Sequence, residues 1–325
     1  MKLIIQIPCF NEAKTLPLTL AELPQHISGI DYIETLVIDD GSTDETVAVA
    51  QSWGVTHIVR HSNNQGLAKA FQTGLNSCLR FGADVIVNTD ADNQYPGRYI
   101  PDLVAPIVLD EADMVLGNRQ VSQIEHFSPL KRWLQGLGSW TVRTVSGTDV
   151  PDAASGFRAY SRDMALHLNI LTRYSYTLET IIQAGKMGQR VMSVPVMTNR
   201  PLRPSRLQRN MWHFIKAQAG TIMRLYAFYE PLRTFSYIAL PFLLVGSGAI
   251  LRFVYIALVG LSDIGRYIQS ITIGTGLLVV GVIILVFGIQ ADISSKHRQL
   301  TQEMLYRLKK MELEQSSDIH NKKGL

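Results

Sequence analysis

The stretch Val85-Ile86-Val87-Asn88-Thr89-Asp90-Ala91-Asp92-Asn93-Gln94-Tyr95-Pro96-Gly97 decides how the fold is read. Its apolar opening reads as a buried strand, and its Tyr-Pro-Gly ending reads as a turn. Asp90, Asp92 and Gln94 therefore leave a strand end together, and in extended backbone alternate residues share a face. Oxygen-bearing side chains at i, i+2 and i+4 suit a hard divalent cation. Mg2+ in particular is usually held by one or two carboxylates together with substrate phosphates. Taken alone, the same residues would serve equally as a polar turn between a strand and a helix, so the flanking sequence has to supply the weight.

Upstream lie apolar runs at residues 3–7, 34–38 and 56–60 and the strand 84–88 itself. They alternate with helical segments from about Lys14 to Leu23, from a Ser42 or Thr43 cap to about Trp53, and from Gly66 to Leu79. Pro17 falls in a first helical turn, where its missing N–H is harmless. Downstream, a helix starts at Pro96 or Gly97, and residues 112–117 form another strand. This alternation predicts an α/β fold with a mostly parallel sheet covered by helices on both faces. In such sheets ligands sit outside the carboxyl ends of the strands. The polar clusters Asn11-Glu12, Asp39-Asp40, Asp90-Asp92-Gln94 and Asn118-Arg119 each follow a predicted strand, which puts them at one edge. The alternative for Glu12 and Asp40 is helix capping or loop solvation.

Together, Ile7-Pro8-Cys9-Phe10-Asn11-Glu12, Asp39-Asp40-Gly41-Ser42-Thr43-Asp44, Asn64-Gln65-Gly66 and Asp90-Ala91-Asp92-Asn93-Gln94-Tyr95-Pro96 resemble the ordered motifs of family 2 glycosyltransferases with a GT-A, Rossmann-like fold. Ser155-Gly156-Phe157-Arg158-Ala159-Tyr160 extends the likeness to the membrane-anchored polyprenyl-phosphate glycosyltransferases, such as dolichol-phosphate mannose synthase. The resemblance implies a nucleotide-diphosphate sugar as donor, of the GDP-mannose or UDP-glucose type. It also implies a polyprenyl phosphate acceptor, inversion at the sugar, and Mg2+ or Mn2+ as cofactor. Under it, Pro8, Phe10, Glu12, Asp39, Asp40, Asp90 and Ala91 bind the donor nucleotide. Asp90, Asp92 and Gln94 face the metal. Asp92, Arg119 and Asp152 are the catalytic set. Ser155, Arg158, Arg200, Arg203 and Arg206 hold the acceptor phosphate.

This sequence departs from the family pattern in places. Arg203 stands where glycine is usual, Arg206 replaces a lysine, and Pro151 with Asp152 occupies the place of an upstream arginine. A phosphate acceptor is already anionic and needs cations more than a general base, which agrees with an acceptor half rich in arginine, a side chain whose planar fork suits phosphate oxygens. The principal alternative is a glycosyltransferase acting on a sugar or lipid hydroxyl. Processive enzymes of that kind carry Gln-x-x-Arg-Trp after the acceptor motif. Here Arg132-Trp133 precedes Ser155, with Pro129 in place of the glutamine. A catalytically inactive membrane scaffold is a further reading, opposed by the intact Asp39, Asp92, Gln94 and Arg119.

Hydrophobic residues make up 46% of the 325 positions and charged residues only 18%, an apolar excess for a soluble enzyme that is concentrated in the last third. The formal net charge of +4 favours an anionic partner, whether lipid headgroup or phosphorylated substrate. No nucleic-acid motif accompanies it. Cys9 and Cys78 read as free thiols in a reducing compartment. Met1 leads directly into a strand, so no cleavable signal peptide is expected. Thr234–Leu251 and Ile268–Ala291 are uncharged and long enough to cross a bilayer. Arg252 either ends the first span or snorkels from it.

The domain plan is therefore 1–206 GT-A catalytic domain; 207–233 an interfacial region, with Leu207–Tyr226 as an amphipathic helix; 234–291 two transmembrane helices; and 292–325 a charged C-terminal helix and tail. Basic residues outweigh on the catalytic side, with Arg224 and Arg233 before the first span and Lys296, Arg298, Arg307, Lys309 and Lys310 after the second. That bias predicts an integral protein of a bacterial-type cytoplasmic membrane with its catalytic domain and both termini in the cytoplasm. The resemblance is also compatible with a homo-oligomer.

Overall fold

A computed structural model describes residues 1–120, 129–170, 176–199, 227–259 and 268–323, with side chains throughout except at 129–135, 137 and 316–323. Arg200, Arg203, Arg206, the segment Leu207–Tyr226 and the side chains of Arg132 and Trp133 lie outside the described residues. The chain divides into two compact units, one of Met1–Ile215 with Gln302–Leu325 and the other of Lys216–Thr301.

The first unit is built on a seven-stranded sheet. Its strands are β1 (Lys2–Cys9), β2 (Tyr32–Asp39), β3 (His57–Arg60), β4 (Val85–Asn88), β5 (Met114–Asn118), β6 (Arg158–Ser161) and β7 (Val191–Pro195). They lie in the order β3-β2-β1-β4-β6-β5-β7. The helices are α1 (Leu16–Ala21), α2 (Thr46–Ser52), α3 (Leu67–Arg80), α4 (Ile100–Val108), α5 (Pro129–Ser146), α6 (Arg162–His167) and α7 (Tyr176–Lys186). β1 is buried along almost its whole length, as a central parallel strand covered on both faces must be. One polar side chain interrupts it: Gln6, fully buried, donates from Nε2 to Asn88 Oδ1 on β4 at 2.9 Å. α3 packs closely over this pair because Gly74 has no side chain; a Cβ there would lie 2.3 Å from Gln6 Oε1.

The mostly parallel sheet agrees with the sequence reading. Two of its strands are additions to that reading. β6 runs antiparallel between β4 and β5, with Arg158 level with Asn88 on one side and Leu116 on the other. Because of this inversion the start of β6 arrives at the edge where β4 and β5 end. β7 is parallel to β5, Pro195 facing Asn118, and so ends at that edge too. Ser42 and Thr43 do not cap α2, which starts at Thr46. Their polar groups are taken by the loop after β1: Ser42 Oγ accepts from Asn11 N at 2.9 Å, and Thr43 N donates to Asn11 Oδ1 at 2.8 Å. Cys9 and Cys78 are free, as expected, and buried; burial pushes both thiols up.

Two further helices come after the sheet, α8 (Pro231–Val259) and α9 (Ile268–Lys323). Both are long and apolar enough to cross a membrane, and α8 passes through Arg252 without a break. In the second unit the two approach closely at glycines. A Cβ on Gly246 would lie 2.8 Å from Gly274 O, and one on Gly281 would lie 2.7 Å from Leu243 Cδ2. Small residues at such contacts are the usual basis of helix packing where no hydrophobic drive separates helix from lipid. The last turns of α9 belong to the first unit. There Tyr306 stacks on His167 with ring centroids 3.8 Å apart and donates to Asp163 Oδ1 at 2.9 Å. Lys309 Nζ donates to Leu168 O at 2.9 Å, satisfying a carbonyl just past α6, where a cation is favoured.

Candidate active site

The carboxyl edge of the sheet collects the expected residues. β1 ends in Pro8 and Cys9, and Cys9 stands in register with Asp39 on β2. Pro8 is buried, Phe10 borders on exposed, and Glu12 is buried, its Oε2 accepting from Thr15 Oγ1 at 2.7 Å. Asp39 is fully buried. Its Oδ1 accepts from Ser42 N at 3.0 Å, and its Oδ2 lies 3.1 Å from Nε of the exposed Arg60.

Asp40 was expected to touch the nucleotide, but the structure occupies it otherwise. Its Oδ1 accepts from His61 Nδ1 at 2.7 Å and from Gln65 N at 2.9 Å, and its Oδ2 accepts from Gly66 N at 2.8 Å. His61 Nε2 in turn meets Thr73 Oγ1 at 3.0 Å. Asp40 thus anchors the loop from β3 to α3. Ala91 packs into the hydrophobic core, so only its backbone remains for a ligand.

The acidic turn after β4 is half-buried at Asp90, Asp92 and Gln94. Asp92 Oδ1 accepts from Gln94 N at 3.1 Å, while Asn93 is left-handed with φ 55, a conformation asparagine tolerates better than most. Part of Asp90 reaches solvent, yet its carboxyl is enclosed enough that burial pushes its pKa up to about 7. The negative charge of Asp92 adds to that rise, and Arg119 opposes it. Two carboxylates this near each other form a concentration of negative charge. An oxygen-only set of two carboxylates and an amide fits a hard divalent cation. Among the described residues no group of three or more His, Cys, Asp or Glu could hold a metal by itself.

Across from this turn, Arg119 and Asp152 form a two-pronged pair: Nε donates to Oδ2 at 2.7 Å and Nη2 to Oδ1 at 2.9 Å. Arg119 N also donates to Oδ2, at 3.2 Å. Both side chains are nearly buried. Ser155 is fully buried and its Oγ has no hydrogen-bond partner among the described residues.

Gly156 explains why the motif needs glycine. A Cβ there would lie 2.8 Å from Tyr176 Oη and 3.3 Å from Asp90 Oδ2. Its carbonyl accepts from Asn88 Nδ2 at 2.8 Å. Arg158 differs from expectation. Its side chain is fully buried and donates to Ser155 O and Thr177 O at 2.7 Å each, to Ala153 O at 2.9 Å and to Thr180 Oγ1 at 2.5 Å. A guanidinium engaged in this way holds the 153–155 backbone in place and has no outward face for an acceptor phosphate.

Sequence reasoning missed Asn88, Tyr176, His61 and Glu22. Each acts through hydrogen bonds to residues distant in sequence, and no local pattern marks them. Asn199 opens the basic stretch that holds Arg200, Arg203 and Arg206; the structure ties it to the acidic turn.

Residues 4–168 match the family described as Glycosyl transferase family 2. Among curated proteins, the chain is 28% identical over 206 residues to an undecaprenyl-phosphate mannosyltransferase of Micrococcus luteus, covering 60% of this chain and 83% of that protein. It is 28% identical over 216 residues to a UDP-N-acetylglucosamine–dolichyl-phosphate N-acetylglucosaminyltransferase of Methanococcus voltae, covering 59% and 83% respectively. Among solved structures, a glucosyl-3-phosphoglycerate synthase of Mycobacterium tuberculosis in complex with Mn2+, uridine diphosphate and phosphoglyceric acid superposes with a TM-score of 0.53 at 18% identity, over 68% of this chain and 78% of that one. At that identity the likeness concerns the fold.

Proposed function

The chain belongs to glycosyl transferase family 2, and on that premise we propose that it transfers a hexose from a nucleotide-diphosphate sugar to a polyprenyl phosphate at the cytoplasmic face of a membrane, with inversion. The carrying observation is the close approach of Gly156 to the Asp90 carboxylate. It sets the Ser155-Gly156 segment directly against the acidic turn, so one edge of the sheet serves both donor and acceptor.

In this reading Asp39 faces the nucleobase, and Asp92 and Gln94, with Asp90 beside them, would hold Mg2+ or Mn2+. A divalent cation there would offset the negative charge that develops on the departing nucleoside diphosphate. The Arg119–Asp152 pair keeps a guanidinium rigidly oriented next to the reacting phosphates, a preorganised charge of the kind that lowers barriers most. The acceptor oxygen is anionic at neutral pH and attacks the anomeric carbon without losing a proton. The bond from that carbon to the diphosphate oxygen breaks as the new one forms. Ser155, with Arg200, Arg203 and Arg206, receives the acceptor phosphate; Arg158 supports the Ser155 backbone from beneath. Residues 1–206 form the catalytic part. The apolar helices α8 and α9 hold it at the headgroup level where a lipid-borne phosphate lies, so that enzyme and acceptor share one surface.

The test is transfer of label from radioactive nucleotide sugars to undecaprenyl phosphate by the detergent-purified chain, with Mg2+ or Mn2+ and with EDTA. A product labile to mild acid, lost with EDTA, is expected. An acid-stable product would indicate a hydroxyl acceptor, and absence of transfer across a panel of donors would overturn the reading. Running GDP and UDP sugars side by side also identifies the base.

A further inference from the structure

We propose that Asn199 is a positioning residue for the acidic turn and sets its affinity for the divalent cation. This rests on the reading of Asp92 and Gln94 as metal ligands. The turn holds itself by little: Asp92 Oδ1 accepts from Gln94 N at 3.1 Å, and Asn93 is left-handed. Asp90 and Asp92 lie two residues apart in the turn, and like charges so placed repel one another. Without an external hold, that repulsion favours opening of the turn.

Asn199 provides the hold from one side. Its Nδ2 donates to Asn93 O at 2.9 Å and its backbone N donates to Gln94 O at 2.9 Å. Both acceptors are carbonyls of the ligand-bearing turn. Asn199 is itself well fixed, because it comes after β7, which is paired with β5 and continued by Val196 N donating to Asn118 O at 2.9 Å. The sheet edge is thereby transmitted to the peptides on either side of Gln94.

Glu22 holds the turn from the opposite side. Its Oε1 accepts from Asn93 Nδ2 at 3.0 Å and its Oε2 from Gly97 N at 3.3 Å. Gly97 is required for that approach, since a Cβ there would lie 2.0 Å from Glu22 O. Glu22 is exposed, so its bonds compete with water and contribute less. Partners that orient metal ligands from outside the coordination shell typically account for 10- to 100-fold in metal affinity. Asn199 brings no charge of its own, so its whole effect is on the geometry of the ligands.

The experiment is a Mn2+ titration followed by electron paramagnetic resonance on the full chain in detergent, with UDP and separately with GDP present. Asn199→Ala removes the side-chain bond and leaves the backbone bond, and should weaken Mn2+ binding about tenfold. Nucleotide affinity without metal should stay at the wild-type value, which a general loss of structure would not allow. Should Asn199→Ala fail to fold, Glu22→Ala on the other side of the turn should weaken Mn2+ binding in the same direction by a smaller factor. Wild-type Mn2+ affinity in the variant that folds would overturn the proposal while leaving the metal assignment standing. If Asp92→Ala also bound Mn2+ like the wild type, the metal assignment itself would fall, and the role of Asn199 with it.

Discussion

β2 and β4 flank β1, and each delivers a pair of acidic residues to the same edge of the sheet. In sequence, Asp39-Asp40 and Asp90-Ala91-Asp92 look equally suited to a ligand. Their surroundings differ. Asp40 is saturated by His61, Gln65 and Gly66, so its charge is spent on closing a loop. Asp90 has no hydrogen bond among the described residues, and both burial and the charge of Asp92 work against its ionisation. A carboxylate whose lone pairs are met by protein donors is architecture. One left beside another carboxylate ionises more readily once a cation arrives.

The largest effect that could break this contrast is expected at Asp92. Asp92→Ala should lower sugar transfer roughly a thousandfold or more, the several kcal/mol of charge stabilisation that a bound metal supplies. The melting temperature should hold or rise, because a like-charge repulsion is removed. A fall in stability with transfer largely kept would place Asp92 with Asp40 as an architectural group.

Arg158 provides the next test, on the acceptor side of the same edge. Arg158→Met should destabilise the catalytic part by roughly 3–5 kcal/mol, since the carbonyls of Ala153, Ser155 and Thr177 would be buried without donors. Denaturant or thermal unfolding would measure it. A variant of normal stability with a raised KM for the lipid phosphate alone would restore the phosphate-binding role that its motif suggests.

These two residues also mark how far the sequence could be read. The alternating runs that become β1, β2, β3, β4 and β5 were legible because each is an apolar strand bounded by turn residues, and the two apolar spans because nothing charged interrupts them. β6 was not legible. Its four residues, Arg158–Ser161, begin with a charged side chain and coincide with a motif that draws attention as a ligand loop, so neither periodicity nor polarity announces a strand. Once β6 is inserted antiparallel, Arg158 lies between Asn88 and Leu116 in the sheet, where a guanidinium must be satisfied internally. The acidic turn after β4 was readable from spacing. The bonds that fix it, from Glu22 and Asn199, come from residues far along the chain in either direction, and pairings of that kind leave no trace in a local pattern.

A smaller effect is expected at Asp40. Asp40→Asn keeps the size and one acceptor but weakens the charge-assisted bonds to Gln65 N and Gly66 N, each of which contributes about 1.5–3 kcal/mol. The variant should lose about 2 kcal/mol of stability and show a raised KM for the nucleotide sugar through a loosened Asn64-Gln65-Gly66 loop. Normal stability with lost donor binding would mean that Asp40 meets the nucleotide directly.

The smallest effect is expected at Arg60, and it bears on which class Asp39 belongs to. Asp39 is as buried as Asp40, yet among the described residues its Oδ2 has no hydrogen bond, and the Nε of Arg60 lies 3.1 Å from it. Arg60 is 61% exposed, so solvent screens the pair and the long side chain loses entropy in holding it. Arg60→Ala should therefore change stability by no more than ~0.5 kcal/mol, as measured by chemical denaturation. An unchanged fold would leave Asp39 Oδ2 as a buried acceptor that the protein does not itself satisfy, which is the state expected of a group reserved for a base N–H. A loss above about 2 kcal/mol, in the range of a buried charge-assisted bond, would show that Arg60 and Asp39 are bound together as firmly as Asp40 and its loop, and would move the whole β2 edge from ligand binding to architecture.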